Sequence, residues 1–340
     1  MKRKAFILAL ILSLSAISAC AATRPIARID SAITTGAAVS GNLVLVGDAV
    51  GKFYAIDTAN GTTSWTVDPG GASAVGIPAI DGNSAVFAQL DGHILCVRIS
   101  DGETLWTYEP DYDESANEDL SDGPIIADGK VFASFSSGEL KALDLKNGRV
   151  VWKYKAEQGL RTAPAYSGGL VLLGEYNGLF SMLDAKSGKR VNGGGAGGAV
   201  NTPTVNSGNV YYSAWDGSVH AVQIKDVIPL WDAQVGEPIT TAPVIADGLI
   251  VVCTATGKIV ALDEKNGSIL WRNNAEGGDS GVRPSIRNGR VLAGTGDEKV
   301  IVLNANTGKL LRQIEGARAL STSGSSKLYY TSDGGLYAAE

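Results

Sequence analysis

Histidine and cysteine side chains, which could support catalysis or metal binding, are few in this chain of 340 residues. Its two histidines, His93 and His220, fall in two different repeat units, and neither has a cysteine or another histidine at metal-ligand spacing. No nucleophile elbow and no phosphate-binding loop occurs. The glycine run at 193–198 follows no Lys-Ser/Thr signature, so we interpret it as a flexible connector. The sequence predicts no catalytic residue, no cofactor and no metal site.

The acidic segment 109–122 carries oxygen-bearing side chains in the order of a calcium-binding loop. Counted from the first, they occupy steps 1, 3, 5, 7, 9 and 12, as Asp111, Asp113, Ser115, Asn117, Asp119 and Asp122. However, Ala116 stands where the sharp turn needs glycine, and Asp122 replaces the longer bidentate glutamate. We therefore expect a solvated acidic loop with weak calcium affinity at most, and keep a calcium site as the alternative.

A phrase of the form Gly-x-apolar-x-small-apolar-Asp recurs eight times along the chain. It begins at Gly51, Gly92, Gly138, Gly178, Gly217, Gly257, Glu298 and Gly334. A proline stands fourteen residues before six of these starts, and a tryptophan stands fourteen residues after five of them. A fixed frame joined by connectors of variable length indicates one structural unit that has been copied.

Each unit has the pattern of four short strands. Asn-Gly, Asp-Gly or Ser-Gly pairs mark a hairpin in most units, because these residues accept the positive φ that such a turn requires. The runs at 170–174 (LVLLG) and 249–253 (LIVVC) are apolar on both faces, which predicts sheets covered on both sides. These features favour an all-β protein, a β-propeller of four-stranded antiparallel blades.

The eighth unit reaches Glu340 without a fourth strand, and residues 24–32 can supply one. This segment, RPIARIDSA, precedes the first innermost strand. Pairing it with the third strand of the last unit would close the ring and hide two sheet edges. We predict a single eight-bladed propeller over residues 20–340, with 24–32 completing the last blade.

Residues 1–19 have the pattern of a secretory signal, with Lys2, Arg3 and Lys4 ahead of an apolar stretch. The stretch ends in Ile17-Ser18-Ala19-Cys20, which resembles a bacterial lipobox. That resemblance implies cleavage before Cys20 and acylation of this residue, which would hold the protein at a membrane. A plain signal peptide followed by an incidental cysteine is the alternative. Ala21, where an aspartate could stand, points by resemblance to the outer membrane, with the cell surface or inner membrane as alternatives.

The charge balance is acidic, since 29 Lys and Arg residues, three of them in the signal, face 35 Asp and Glu residues. An acidic surface argues against nucleic-acid binding and against direct adsorption to anionic lipid. Cys96 and Cys253 lie in apolar strands of the second and sixth units, too far apart to be bridged. We interpret both as small buried residues.

The full repeat, P-x₁₃-G-x-φ-x-A-φ-D-x₃-G-x₃-W, resembles the PQQ-type propeller repeat over essentially the whole mature chain. Among such proteins, an eight-bladed lipoprotein of this length is most similar to the BamB family, scaffold components of the outer-membrane β-barrel assembly machinery. The resemblance implies partner binding through connectors on one face, including a Leu-Arg pair ahead of the fourth blade. Leu160 and Arg161 match that pair. The next connector, GGGAGGAVNTP, lacks the acidic contact residues of the family.

The resemblance therefore implies a non-enzymatic, periplasm-facing scaffold, a monomeric propeller whose partners are envelope proteins such as the assembly machinery. A propeller that binds another envelope protein or a glycan is one alternative. A quinone-dependent dehydrogenase is another, but the cysteine pair and the calcium-binding Glu, Asn and Asp set of those enzymes are not visible here.

Two orientations of the Leu160–Arg161 pair remain open from sequence. Leu160 is either an exposed apolar anchor or packs inward, and Arg161 either bonds a partner's oxygens or caps turn carbonyls. We expect the loops that lead into first strands to emerge on the same face as the Asp-Gly turns. The acidic connector and the segment LRTAP would then share that face.

Overall fold

The computed structural model describes residues 24–110, 119–120, 122–160, 162–275, 277–279, 281–320, 322–323, 327–332 and 335–339. Over these ranges the chain is built from β-strands and turns, and it has no helix long and apolar enough to cross a membrane.

Eight sheets form the blades of a ring, and strands that follow one another along the chain are neighbours in a blade. The strand β1 (Ala27–Arg28) precedes blade 1. Blade 1 contains β2 (Ala37–Ser40), β3 (Leu43–Gly47), β4 (Phe53–Asp57) and β5 (Thr62–Val67), and blade 2 contains β6 (Ala74–Asp81), β7 (Ser84–Gln89), β8 (Ile94–Arg98) and β9 (Thr104–Tyr108). Blade 3 contains β10 (Ile125–Ala127), β11 (Lys130–Ser134), β12 (Glu139–Asp144) and β13 (Val150–Lys155), and blade 4 contains β14 (Ala165–Ser167), β15 (Leu170–Gly174), β16 (Leu179–Asp184) and β17 (Arg190–Gly195).

The second half of the ring repeats this plan up to its last blade. Blade 5 contains β18 (Thr204–Asn206), β19 (Asn209–Ser213), β20 (Ser218–Gln223) and β21 (Ile228–Gln234), and blade 6 contains β22 (Val244–Ala246), β23 (Leu249–Cys253), β24 (Lys258–Asp263) and β25 (Ile269–Asn274). Blade 7 contains β26 (Ser285–Arg287), β27 (Arg290–Gly294), β28 (Lys299–Asn304) and β29 (Leu310–Glu315). Blade 8 contains β30 (Ala317–Leu320), β32 (Leu328–Ser332) and β33 (Gly335–Ala339), and the short strand β31 (Thr322–Ser323) lies between β30 and β32 in the chain.

The N-terminal strand closes the ring, as the sequence predicts. β1 pairs antiparallel with β33, placing Ala27 opposite Leu336, and the Ile26 amide donates to the Leu336 carbonyl at 2.6 Å. Blade 8 therefore has the strand order β1-β33-β32-β30. One strand pairing was not predicted. β31 pairs in parallel with the innermost strand β2 and so joins blade 8 to blade 1 at a second place. The eight-bladed fold is confirmed.

The hydrophobic core is divided into eight clusters, one at each interface between neighbouring blades. Successive side chains of a strand point to opposite faces, so each middle strand serves two interfaces. In β23, Val251 and Cys253 pack toward blade 7, whereas Ile250 and Val252 pack toward blade 5. Double coverage explains why such runs are apolar at every position.

The prolines of the repeat stand just ahead of the innermost strands in five of the blades. Pro78 differs, because it lies inside β6 at a register shift between Val75 and Ala79. A missing N–H is tolerated at a strand entry or an irregularity, since no ladder bond is lost there.

The tryptophans of the outermost strands connect each blade to the next one. Trp152 Nε1 donates to the Ala185 carbonyl of blade 4 at 3.1 Å, and its ring covers Gly188 in the turn between β16 and β17. Four other tryptophans repeat this contact, as Trp65 with Gly102, Trp106 with Gly148, Trp231 with Gly267 and Trp271 with Gly308. Blade 4 has Asn192 in place of the tryptophan, and the next turn accordingly carries Val227 in place of the glycine.

We predict that Gly188→Ala destabilises the protein more than Gly168→Ala. Both glycines have positive φ, so both variants incur the roughly 1–2 kcal/mol of a left-handed residue. Only at Gly188 would the new Cβ meet a ring, 2.5 Å from Trp152 Cε3, while nothing lies within 4 Å at Gly168. Urea unfolding should show an extra loss of about 1–3 kcal/mol for Gly188→Ala. Equal losses of unfolding free energy in the two variants would show that the Trp152 ring can shift to accommodate the new Cβ without destabilising the protein.

The outermost strands share one irregularity, a β-bulge just before the tryptophan position. In β13, Val150 pairs with Leu143 and Trp152 with Ala142, so Val151 has no partner of its own. The same shift occurs in β5, β9, β17, β21, β25 and β29. A bulge turns the extra residue away from the regular pleat. The unpaired residues are Ser64, Leu105, Val151, Val191, Leu230, Leu270 and Leu311.

Candidate partner-binding face

Two faces of the ring can be distinguished by the loops they carry. The connector face holds the connectors between blades, and these bond to the turns between second and third strands. Ser136 N donates to the Asp119 carbonyl at 2.8 Å, and Ala156 N donates to the Gly138 carbonyl at 2.9 Å. The opposite face, here called the turn face, holds the turns between third and fourth strands. These turns contain the Asn-Gly, Asp-Gly and Ser-Gly pairs of the repeat, called Asp-Gly turns for short.

The expectation that connectors and Asp-Gly turns share a face is therefore wrong. The fourth strand runs the whole height of its blade from the Asp-Gly turn to the following connector, which places the two at opposite ends. The described parts of the acidic connector and of the Leu160 connector do lie on one face, because both contact the turn between β11 and β12.

Leu160 is fully buried, so its interpretation as an exposed anchor is wrong and the inward alternative holds. It belongs to the cluster between blades 3 and 4, together with Phe132, Leu140, Val171 and Leu173. An apolar side chain that can reach this interface gains more from burial than from exposure. Leu160 therefore fixes the path of the connector. Arg161 lies outside the described residues.

The acidic connector contributes Asp122 to the centre of the ring. Its carboxylate accepts hydrogen bonds from the amides of Gly123 at 2.7 Å and Ala163 at 3.0 Å, and from Thr202 at 3.4 Å. These partners belong to blades 3, 4 and 5. The last position of the possible calcium loop is therefore engaged in the ring, whereas residues 111–118 lie outside the described residues and their solvated state stays a prediction.

A cavity of about 750 Å³ occupies the central channel on this side. Asp122 and Arg283 stand on its wall in blades 3 and 7, opposite each other in the ring. Arg283 donates to Thr204 Oγ1 at 2.8 Å and to the Pro243 carbonyl at 2.9 Å. Burial raises the pKa of the Asp122 carboxyl, against the hydrogen bonds from Gly123 and Ala163 and the charge of Arg283. Burial likewise lowers the pKa of Arg283. Through these hydrogen bonds, Asp122 and Arg283 together link blades 3 to 7 around the channel.

Two aromatic side chains stand exposed at the mouth of this cavity. Tyr176 and Trp215 are each 54% exposed, and both line the cavity from the connector face. They occupy the same position in the turns between second and third strands of blades 4 and 5. Sequence reasoning missed them, although an aromatic residue at this turn position in two consecutive units was a visible signal. Exposed Trp and Tyr side chains are typical of a protein-binding hot spot.

The glycine run at 193–198 is not a flexible connector over its whole length. Residues 193–195 form the end of β17, and a Cβ at Gly193 would lie 2.2 Å from the Phe180 carbonyl oxygen. Gly197 N donates to Asp216 Oδ2 at 2.7 Å, which attaches the rest of the run to the turn before β20. Close backbone approach, rather than mobility, accounts for the glycine at position 193.

Ser218, His220 and Asp232 have the order of contacts seen in a hydrolase triad. His220 Nε2 lies 2.7 Å from Ser218 Oγ, and its Nδ1 lies 2.6 Å from Asp232 Oδ1. Ser218 is nevertheless buried, and its hydroxyl donates to Asp216 at 2.5 Å. A nucleophile needs an accessible oxygen whose proton passes to the histidine. The contacts of Ser218 therefore indicate a structural role.

Cys96 and Cys253 are free and buried, as predicted. Burial raises the pKa of Cys96 to about 11 and that of Cys253 to about 12. Thiols of this kind are poor nucleophiles and poor metal ligands. Among the residues that the structure covers, no group of three or more His, Cys, Asp or Glu side chains is arranged to hold a metal ion.

Comparison with known proteins agrees with this architecture. The sequence model of a family described as "Outer membrane protein assembly factor BamB" matches residues 15–226 and 151–340, which together span nearly the whole chain. The chain belongs to the BamB family. The sequence-based resemblance to PQQ-type repeats and to BamB is thereby confirmed.

Curated BamB proteins show the same relationship at low identity. The protein is 28% identical to BamB of Escherichia coli K12 over 276 residues, covering 76% of this chain and 69% of that one. It is 25% identical to BamB of Moranella endobia over 227 residues, covering 60% of this chain. The match spans little more than half of the Moranella endobia and Yersinia pestis proteins, 56% and 54% of their lengths.

Solved structures show the same fold. BamB from Moraxella catarrhalis superimposes with a TM-score of 0.77 at 20% identity, covering 92% of this chain and 96% of that BamB. A computationally designed protein, Ika8, superimposes with a TM-score of 0.62 at 19% identity over 82% of this chain and 98% of its own. At such identities the likeness is one of fold, and function depends on the residues at the site.

Proposed function

We propose that the protein is a non-enzymatic scaffold that assists assembly of outer-membrane β-barrel proteins. It faces the periplasm, is attached to the outer membrane through acylated Cys20, and binds envelope proteins of the β-barrel assembly machinery. Membership of the BamB family supports this role, as do relatives named outer membrane protein assembly factors.

The observation that carries the proposal is the pair of exposed aromatic residues Tyr176 and Trp215 on the connector face. Arg161 belongs to the connector that leads into blade 4, whose second-to-third-strand turn carries Tyr176, and buried Leu160 holds that connector in place. An arginine side chain can bind a partner's carboxylate or backbone carbonyls through two hydrogen bonds. We therefore assign Arg161 to partner contact and Leu160 to positioning.

Reversing the charge of Arg161 should weaken partner binding without weakening the fold. In Arg161→Glu, we expect co-purification of β-barrel assembly proteins from the native envelope to fall several-fold, because a repulsive charge replaces a bidentate donor. Its free energy of unfolding should stay within about 0.5 kcal/mol of the parent, as for other surface changes. Quantitative mass spectrometry of the captured proteins and urea unfolding measure the two effects.

Two further variants test whether the connector face itself is responsible. Arg149→Glu reverses an exposed arginine of blade 3 on the turn face and should leave co-purification unchanged. Trp215→Ser should reduce it about tenfold or more, as expected for a hot-spot residue. A large loss of stability in Arg161→Glu with binding intact would assign Arg161 to turn capping instead.

Acylation of Cys20 can be tested independently of any partner. Cys20→Ala should abolish incorporation of labelled palmitate, and the protein should leave the membrane fraction, because the acyl chains supply the lasting attachment. Cys96→Ala is the matched control, since this buried thiol should not affect acylation. Membrane attachment that persists in Cys20→Ala would contradict the lipid anchor.

A further inference from the structure

The turn face carries an amphipathic edge that partner binding on the other face does not use. Six of the seven unpaired bulge residues are aliphatic, and these six are between 41% and 54% exposed. They are Leu105, Val151, Val191, Leu230, Leu270 and Leu311. Because each stands three residues after the glycine position of the turn between third and fourth strands, they project outward near the turn face of successive blades. Exposed aliphatic residues repeated in this way mark an interaction surface.

Lysines accompany the aliphatic residues in four consecutive blades. Each occupies the same turn position, two residues after the end of the third strand, and each is exposed. We call these lysines and the bulge residues of the same blades the basic–aliphatic rim: Lys146, Val151, Lys186, Val191, Lys225, Leu230, Lys265 and Leu270. Asp144 and Asp263, at the ends of two of these third strands, accept hydrogen bonds from the turn amides. Over residues 144–149, 184–190, 223–226 and 263–265, seven Lys and Arg residues stand against five Asp and Glu residues, so these four turns carry a small positive excess on a chain whose overall charge is negative.

The N-terminal strand leaves the ring at this same face. β1 runs antiparallel to β33 and occupies the place of a fourth strand, so its first residues lie at the turn-face end of blade 8. The position is fixed by Gly61 in the Asp-Gly turn of blade 1, where a Cβ would lie 2.3 Å from the Ile26 carbonyl oxygen. Arg24 stands two residues earlier, and four residues of chain span at most about 14 Å back to Cys20.

We propose, building on the anchoring at Cys20 proposed above, that the basic–aliphatic rim docks on the surface of an anionic lipid bilayer. Aliphatic side chains flanked by lysines suit the boundary between headgroups and acyl chains, with the ammonium groups at the phosphates. A planar surface can contact several blades at once, which matches the repetition of the rim around the ring. The connector face, with Tyr176 and Trp215, then points away from the membrane and stays open to partners.

The test uses fluorescence quenching at two equally exposed positions. The full-length protein is labelled with an environment-sensitive fluorophore at Leu270→Cys on the rim or at Val50→Cys on the connector face, where Val50 is 54% exposed. Cys96 and Cys253 are buried, and Cys20 carries no free thiol once it is acylated, so the introduced thiol is the reactive one. Each protein is reconstituted in vesicles of phosphatidylethanolamine and phosphatidylglycerol, with or without brominated acyl chains.

The Leu270→Cys label should lose about half or more of its fluorescence in brominated vesicles, since interfacial residues lie about 5–10 Å deep. The Val50→Cys label should lose little. Replacing the four rim lysines by Gln, as K146Q, K186Q, K225Q and K265Q, should reduce the quenching, and Lys52→Gln on the connector face should not. Raising the salt concentration should weaken rim quenching in the parent, because screening removes the lysine contribution.

Equal quenching at both positions, or none at Leu270→Cys, would overturn rim docking. A spectral change of the Leu270→Cys label without vesicles that grows with protein concentration would instead show a second copy at the rim, and would overturn it too. The mass of the purified protein reports acylation of Cys20 separately. Quenching at Leu270→Cys that persists when Cys20→Ala is added would support the rim independently of the anchor.

Discussion

Deleting residues 24–32 is expected to lower the free energy of unfolding by at least the roughly 2–5 kcal/mol of a buried Ile→Ala change. The deletion removes buried Ala27 and Ile29 from the interface between blades 8 and 1 and uncovers Tyr329 and Leu336. It also exposes the hydrogen-bonding edge of β33. Urea unfolding of the deletion variant beside the intact mature chain measures the loss.

Two neighbouring substitutions separate burial from chain length in this test. Ile29→Ala should reproduce a large part of the loss, because Ile29 is buried, whereas Asp30→Ala, at the next and exposed residue, should stay within about 0.5 kcal/mol. A synthetic peptide of residues 24–32 should raise the melting temperature of the deletion variant with increasing concentration, since it can pair with the vacant edge. An unchanged unfolding midpoint after deletion would contradict closure by this strand.

Trp271→Ala should cost about 3–5 kcal/mol, the range for truncating a buried aromatic residue. The ring of Trp271 is 8% exposed, covers Gly308 of the next blade and donates from Nε1 to the Ala305 carbonyl at 2.7 Å. The variant therefore loses both apolar contact and a hydrogen bond between blades 6 and 7. Chemical unfolding monitored by far-UV circular dichroism gives the value without relying on the removed fluorophore.

Leu270→Ala is the matched control for Trp271→Ala. Leu270 precedes the tryptophan in the same strand, but it is the bulge residue and is 48% exposed. Its truncation should change the free energy of unfolding by about 0.5 kcal/mol or less. Similar losses at the two positions would mean that Trp271 contributes through strand β25 alone and not through the contact between blades.

The ring could be predicted from the sequence because the same requirements for strands and turns recur in its eight repeat units. Double coverage makes strands such as β23 apolar throughout, and positive φ requires glycine at turns such as Gly267. The pairing of each tryptophan with a glycine could not be read in the same way. Trp231 and Gly267 belong to different units, so a pattern defined within one unit does not show their contact.

The candidate site was predictable only in part. Sequence identified the connector with Leu160, but an apolar residue before a strand can pack inward or outward, and only the neighbouring Phe132 and Val171 decide between them. The assignment of faces failed because strand direction was not followed through the blade. Tyr176 and Trp215 occupy a turn position whose residue type varies from unit to unit, since an exposed turn residue without positive φ meets few steric demands.

Ring closure also determines the order in which the molecule can fold. The pairs Ala27–Leu336 and Ala37–Thr322 join segments nearly a whole chain length apart. Neither pair can form until the residues of blade 8 have reached the N-terminal strands. Contacts of such high sequence separation form slowly, because the loop entropy is lost before the contacts repay it. Blades 1 to 7 are then an intermediate with two uncovered apolar interfaces, one formed by Val44 and Ile56 and the other by Leu292 and Val300. The protein is thus exposed to aggregation until β1 pairs with β33.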